Sequence, residues 1–128
     1  MLIGDWTNLT IIGGFLTQTE NRYCRGIHAI EGPGLSAKWS GLTIKDVQIN
    51  MIGSGTYEAI YLQPHDSVKM EDILISGVTA KNACANSYIF INPDKCEKTL
   101  KIINNTSLDN HSIFPSSSKG FILVANNN

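Results

Sequence analysis

Glu31, Glu58, Asp66 and Asp94 are the carboxylates of this sequence that stand beside turn residues or at the mouth of an apolar-alternating segment. A pair of carboxyl groups can protonate and hydrolyse an acetal when they lie about 5 to 5.5 Å apart with retention, or about 6.5 to 9.5 Å apart with inversion. His65, next to Asp66, is available to tune a neighbouring proton. A second set is aromatic and polar: His28, Tyr61 and Phe90 sit at the centres of Ile-His-Ala, Ile-Tyr-Leu and Ile-Phe-Ile, and Gln63 and Asn92 follow two residues after Tyr61 and Phe90. Ring faces bind apolar CH surfaces and side-chain amides bind hydroxyls, so together they could line a shallow groove for a polyhydroxylated ligand. Each set also has a plainer reading. A turn acid is ordinarily just solvated, and a column of rings is ordinarily a packing surface under a loop or another subunit.

Other chemistry is poorly supported. His28, His65, Asp66 and His111 lack metal-ligand spacing, so no metal site or other cofactor is expected. Lys69 near Glu71 and Asp72 nominally suits a lyase, but alternating charges on an exposed strand explain the trio better. His65, Asp66 and the many serines come without a Gly-x-Ser-x-Gly elbow. Cys24, Cys84 and Cys96 are odd in number and without CxxC spacing, which favours free thiols over a disulfide framework.

Composition narrows the partners. The net charge is −1 and only 16% of the 128 residues are charged, which argues against nucleic acid or a polybasic membrane contact. No apolar run approaches the roughly 18 to 20 residues that span a bilayer. The start Met-Leu-Ile-Gly-Asp-Trp lacks the features of a secretory signal, so synthesis in the cytoplasm without a signal peptide is expected. The length suits a single domain over residues 1–128.

What would position the candidate groups is a repeat. Asn8-Leu-Thr-Ile-Ile-Gly-Gly14, Gly41-Leu-Thr-Ile-Lys-Asp-Val47, Asp72-Ile-Leu-Ile-Ser-Gly-Val78 and Thr99-Leu-Lys-Ile-Ile-Asn-Asn105 share an apolar-any-apolar core and start 33, 31 and 27 residues apart. Period two and β-branched content mean strands. A second ladder follows 14 to 19 residues after the first: Gly26–Ile30, Ala59–Gln63, Tyr88–Asn92 and Gly120–Val124. Strands repeating at this period stack in parallel, each on its equivalent about 4.8 Å away. Inward positions are Leu9, Ile11, Ile27, Ala29, Leu42, Ile44, Ile60, Leu62, Ile73, Ile75, Ile89, Ile91, Leu100, Ile102, Phe121 and Leu123, with Val47 and Val78 opening a third row. The outward column is His28, Tyr61, Phe90 and Ile122. Gly13, Asp46, Gly77 and Asn104 follow the first-ladder strands in register and suit a left-handed bend. No substantial helix is expected, and neither end of the stack has an obvious cap.

Phrases such as Asn-Leu-Thr-Ile-Ile-Gly-Gly and Arg-Gly-Ile-His-Ala-Ile resemble the coils of the right-handed parallel β-helices of the pectin-lyase-like superfamily, over about residues 2–125. The long, uneven coils are most similar to those of bacteriophage tailspikes and related glycan depolymerases. The resemblance implies an all-β, right-handed parallel β-helix of about four coils, and the uncapped ends lead us to expect a segment cut from, or assembled with, a longer β-helical protein. It also implies a polysaccharide-recognising module of a virion tail, homotrimeric, with bacterial surface polysaccharide as partner. Glu31, Glu58, Asp66 and Asp94 would then be the acid and base candidates of a glycoside hydrolase, less favourably of a lyase. His28, Tyr61, Gln63, Phe90 and Asn92 would meet the sugar. The competing expectations are a non-catalytic shaft or oligomerisation segment, and a fragment of a bacterial surface or pectate-lyase-like protein.

Overall fold

The computed structural model describes residues 2–3, 6–17, 25–30, 38–51, 57–63, 69–82, 88–109, 112–113 and 122–128. Within them the chain is all-β, apart from a single 3-10 turn at Pro93–Lys95, and every pairing between strands is parallel. The first ladder contains Thr10–Ile12, Thr43–Lys45, Ile73–Ser76, Leu100–Ile103 and Ile122–Ala125. The second contains Leu2–Ile3, Ile27–Ile30, Ile60–Gln63 and Ile89–Ile91. A third, formed by Phe15–Thr17, Gln48–Asn50, Thr79–Lys81 and Thr106–Ser107, follows the bends after the first. A fourth, formed by Trp6–Thr7, Lys38–Ser40 and Lys69–Glu71, precedes the first and is continued by a bridge from Met70 to Cys96. The chain visits second, fourth, first and third ladders in that order and then begins again; each such circuit is called a pass below.

The expected register holds through the middle of the chain. Ile11 pairs with Ile44, Ile44 with Ile75, and Ile75 with Ile102, at the spacings of 33, 31 and 27 read from the sequence. Leu42, Ile44, Ile73, Ile75, Leu100 and Ile102 are buried in one row, and Ile27, Ala29, Ile60, Leu62, Ile89 and Ile91 in another. Val47 and Val78 are buried as the third row requires. Trp39, Met70 and Cys96 fill the fourth ladder's inner side. Cys96 is buried, its Sγ donating to the Asn92 carbonyl at 3.8 Å, while Cys24 and Cys84 lie outside the described residues.

Bends make this geometry possible. Gly13, Asp46, Gly77, Asn104 and Asn126 all have positive φ, as do Asn8, Gly41 and Asp72 on the opposite side of the first ladder. Such a backbone suits only Gly and, at lower cost than other side chains, Asn or Asp. A second feature sets Gly41 and Gly77 apart from the other bend residues. A Cβ at Gly41 would collide with Asn8 Oδ1, and one at Gly77 with Asp46 Oδ1, so an Asx side chain from one pass rests on glycine of the next. The ladders run on through the bends, since the N–H groups of Gly13, Asp46 and Asn104 donate to the carbonyls of Lys45, Ser76 and Ala125 at 2.9, 3.0 and 3.1 Å.

The last pass differs from expectation. Ile122–Ala125 belongs to the first ladder, not the second: Leu100 pairs with Ile122, Lys101 with Leu123 and Ile102 with Val124. Ile122 therefore does not continue the His28, Tyr61, Phe90 column. Leu123 pairs with the exposed Lys101, so it does not take an inward register position, and Phe121 lies outside the described residues. The neighbour of Ile89 in the second ladder is instead Ile113, whose carbonyl accepts the Ile89 N–H at 2.9 Å. The reason is a shorter pass: 22 residues separate Ile102 from Val124, against 27 in the pass before. Leu9 and Ile11, placed with the inward rows, are only half-buried; among the described residues Thr10–Ile12 has a strand neighbour on one side only.

Candidate functional site

The second ladder brings together the ring-bearing residues singled out by their spacing. Its register pairs His28 with Tyr61 and Tyr61 with Phe90, so the three side chains leave the same face of the sheet on successive passes. Tyr61 and Phe90 stack with ring centroids 4.7 Å apart and planes 16° apart, and His28 meets Tyr61 edge-on at 5.3 Å and 80°. The centroid spacing is close to the strand spacing, which is why the rings lie on one another along the ladder.

Arg25 completes the column. Its Cζ lies 3.7 Å from the Tyr61 ring centroid and 5.4 Å from that of Tyr57. Arg25 comes from the pass before Tyr61 and Phe90 from the pass after, so they cover opposite faces of the Tyr61 ring. The guanidinium is held there by Glu58, whose Oε2 accepts from Arg25 Nε at 2.9 Å. Partial burial, followed by the positive charge of Arg25, lowers the His28 pKa, and Glu58 opposes that shift only in part. His28 is therefore a neutral imidazole at pH 7, a donor and an acceptor at once.

The polar candidates are drawn partly into local structure. The Tyr61 hydroxyl donates to Gln63 Oε1, and Gln63 is exposed. Asn92 Oδ1 accepts the Asp94 N–H at 3.0 Å and the Asn92 carbonyl accepts the Lys95 N–H at 3.1 Å, so Asn92 builds the turn at Pro93–Lys95. Asp94 is exposed on that turn. Glu58 precedes Ile60–Gln63 by two residues and Asp94 follows Ile89–Ile91 by three, which puts them at opposite ends of the second ladder. At about 3.3 Å per residue of strand they are separated by roughly 15 to 20 Å, beyond either hydrolytic spacing. Glu31, Asp66 and His65 lie outside the described residues. Among the described residues no group of three His, Cys, Asp or Glu is placed to hold a metal ion.

Two further charge contacts differ from a simple exposed strand face. Glu71 is buried and its Oε2 receives Lys98 Nζ at 3.0 Å; the hydrogen bond and charge of Glu71 raise the Lys98 pKa. Lys69 Nζ lies 3.6 Å from Glu97 Oε1. A polar node also forms at the end of the third ladder, where Asp109 accepts from the Tyr88 hydroxyl, from Ser107 Oγ at 3.2 Å and from the Asn82 N–H at 2.5 Å. Sequence reading missed Arg25 and Asp109. For Arg25 a signal existed, since its distance of 33 residues from Glu58 equals the offset of Ile27 from Ile60.

The arrangement can therefore brace successive passes and present ring edges, an imidazole and the Gln63 amide outward. No protein-family model, curated protein or solved structure matches this chain.

Proposed function

We propose that this chain is a run of right-handed parallel β-helix, similar to those of the pectin-lyase-like superfamily, and that its function is structural: a rigid shaft segment. Right-handedness follows the general preference of parallel crossovers. One observation carries the reading. Three ion pairs, Arg25–Glu58, Lys69–Glu97 and Glu71–Lys98, and the sequence Arg25, Tyr61, Phe90 join one pass to the next. A sugar-stacking ring needs a free face. Tyr61 offers neither of its own.

A second reading is favoured by Gln63, exposed and bound to the Tyr61 hydroxyl beside the ring edges. In it the second-ladder face contacts bacterial surface polysaccharide through polar groups, as part of a tailspike-like, trimeric assembly of a virion. Retention of the chain on immobilised capsule or O-antigen polysaccharide separates the two. The shaft reading predicts no retention, together with a lowered thermal midpoint for Arg25→Ala and Tyr61→Ala. Retention abolished by Gln63→Ala at an unchanged midpoint would replace it with the binding reading. New reducing ends would add hydrolysis and direct attention to Glu31 and Asp66.

A further inference from the structure

A net charge of −1 conceals how the charges are sorted around the stack. Beside the second and fourth ladders Arg25, Lys69 and Lys98 face Glu58, Glu97 and Glu71. The strands of the first and third ladders hold no aspartate or glutamate, and their lysines are Lys45, Lys81 and Lys101, all three exposed. Lys45 Nζ lies 3.8 Å from Asp46 at the surface, a contact of little energy. Among the described residues Lys81 and Lys101 face no carboxylate. Asp46 is the only acidic side chain along residues 10–17, 43–50, 74–81 and 101–108, the four passes of these two ladders. Asp72 and Asp109 stand outside that span, and the Asp109 carboxylate is taken by the Tyr88 hydroxyl, Ser107 and the Asn82 N–H.

The exposed apolar side chains lie on the same two ladders. Ile12 and Phe15, 65% and 62% exposed, stand either side of the bend at Gly13 and Gly14. Their register partners are the exposed Lys45 and Gln48, so both leave the outer face of the stack and do not belong to its inner rows. Leu108 is 60% exposed. Its N–H donates to the Ala80 carbonyl at 2.9 Å, which continues the ladder and sets Leu108 beside Lys81. Scattered surface hydrophobics are ordinary, but here they share one ridge with cations that lack counter-ions. The other outward residues, Thr43, Gln48, Ser76, Thr79 and Thr106, are neutral.

We infer that the ridge where the first and third ladders meet docks on the surface of an anionic lipid bilayer. Lys45, Lys81 and Lys101 meet the headgroup charges, while Ile12, Phe15 and Leu108 enter the boundary with the acyl chains. Lysine attraction and apolar burial are the two terms that hold a protein at such a surface. A hydroxylated or charged polymer would use the lysines but gain nothing from exposed Ile12 and Leu108. The contact is separate from the ring column of the second ladder and stands whether or not that column meets polysaccharide.

Co-sedimentation of the full chain with vesicles of phosphatidylcholine alone, and of phosphatidylcholine mixed with phosphatidylglycerol, tests it. The chain follows the mixed vesicles and not the neutral ones, and added salt releases most of it. Lys81→Gln and Lys101→Gln each weaken partition about fivefold, and together about 25-fold. Phe15→Ser weakens it about tenfold. Lys69→Gln removes the same charge beside the fourth ladder and leaves partition unchanged. Equal partition onto both kinds of vesicle overturns the docking, as does none onto either, and so does a loss for Lys69→Gln that matches Lys101→Gln. Retention on a polyuronate or on duplex DNA without vesicle binding also overturns it, in favour of a soluble polyanion.

Discussion

The row of residues just after the bends of the first ladder is built in two different ways. Val47 and Val78 fill it with aliphatic side chains, 1% and 3% exposed. Asn105, exposed to the same 1%, and the half-buried Asn127 fill it with amides. Asn105 Oδ1 accepts the Val78 N–H at 2.9 Å and its Nδ2 donates to the Ile75 carbonyl at 3.3 Å. Asn127 repeats the pattern one pass on, accepting the Asn105 N–H at 2.9 Å and donating to the Ile102 carbonyl at 3.0 Å. Valine asks only for volume, whereas a buried amide is tolerated only when its groups are bonded. The amides thus fix a register that valines merely permit. They stand at the two ends of the shortened last pass, Asn105 beside the two-residue strand Thr106–Ser107 and Asn127 just after Ile122–Ala125.

The largest effect expected from this contrast is that of Asn105→Ala. It strands the Val78 N–H in the interior and removes the link to Asn127, at a cost of about 2 to 4 kcal/mol in urea-induced unfolding. Val47→Ala removes two carbons from the valine half and costs about 2 kcal/mol, with no polar group left unpaired. The sharper distinction lies in hydrogen exchange: Asn105→Ala should deprotect the Val78 amide by more than its loss of global stability accounts for, while Val47→Ala lowers protection along the row only in step with global stability. Equal deprotection in both variants would break the contrast and reduce Asn105 to a space-filler.

How far the fold was legible depended on how many inward residues each strand contributes. The first ladder announced itself because Leu42/Ile44, Ile73/Ile75 and Leu100/Ile102 repeat a paired alternation. The fourth did not, since Trp39 and Met70 are single apolar residues between Lys38 and Ser40 and between Lys69 and Glu71. Period two also says nothing about which neighbour a strand will choose. Gly120–Val124 reads equally well in either ladder, and the last pass is shorter, so Ile122–Ala125 joined the first. At the candidate site, the His28, Tyr61, Phe90 column followed from register alone. The cover over Tyr61 did not, because it depends on how the long Arg25 side chain folds back, and only the matching charge spacing to Glu58 hinted at it.

Acidity sharpens the contrast with the smallest expected effect. Val47, Val78, Asn105 and Asn127 carry no titratable group, so the cost of Asn105→Ala should be the same at pH 7.5 and pH 5.5. The ring column behaves differently, because His28 has a lowered pKa when folded, through burial first and Arg25 second. Below the unfolded value of about 6.5 the unfolded chain takes up a proton that the folded chain resists, so stability is lost as the pH falls from there towards the folded pKa. Above that window His28 contributes no pH dependence. His28→Gln should therefore flatten the decline of unfolding free energy between pH 7 and pH 5 relative to the wild type, and the difference between the two proteins isolates this residue from His65, His111 and the carboxylates. A decline of the same slope in both would mean that His28 is free to protonate in place, and that the column is open to water rather than closed over by Arg25.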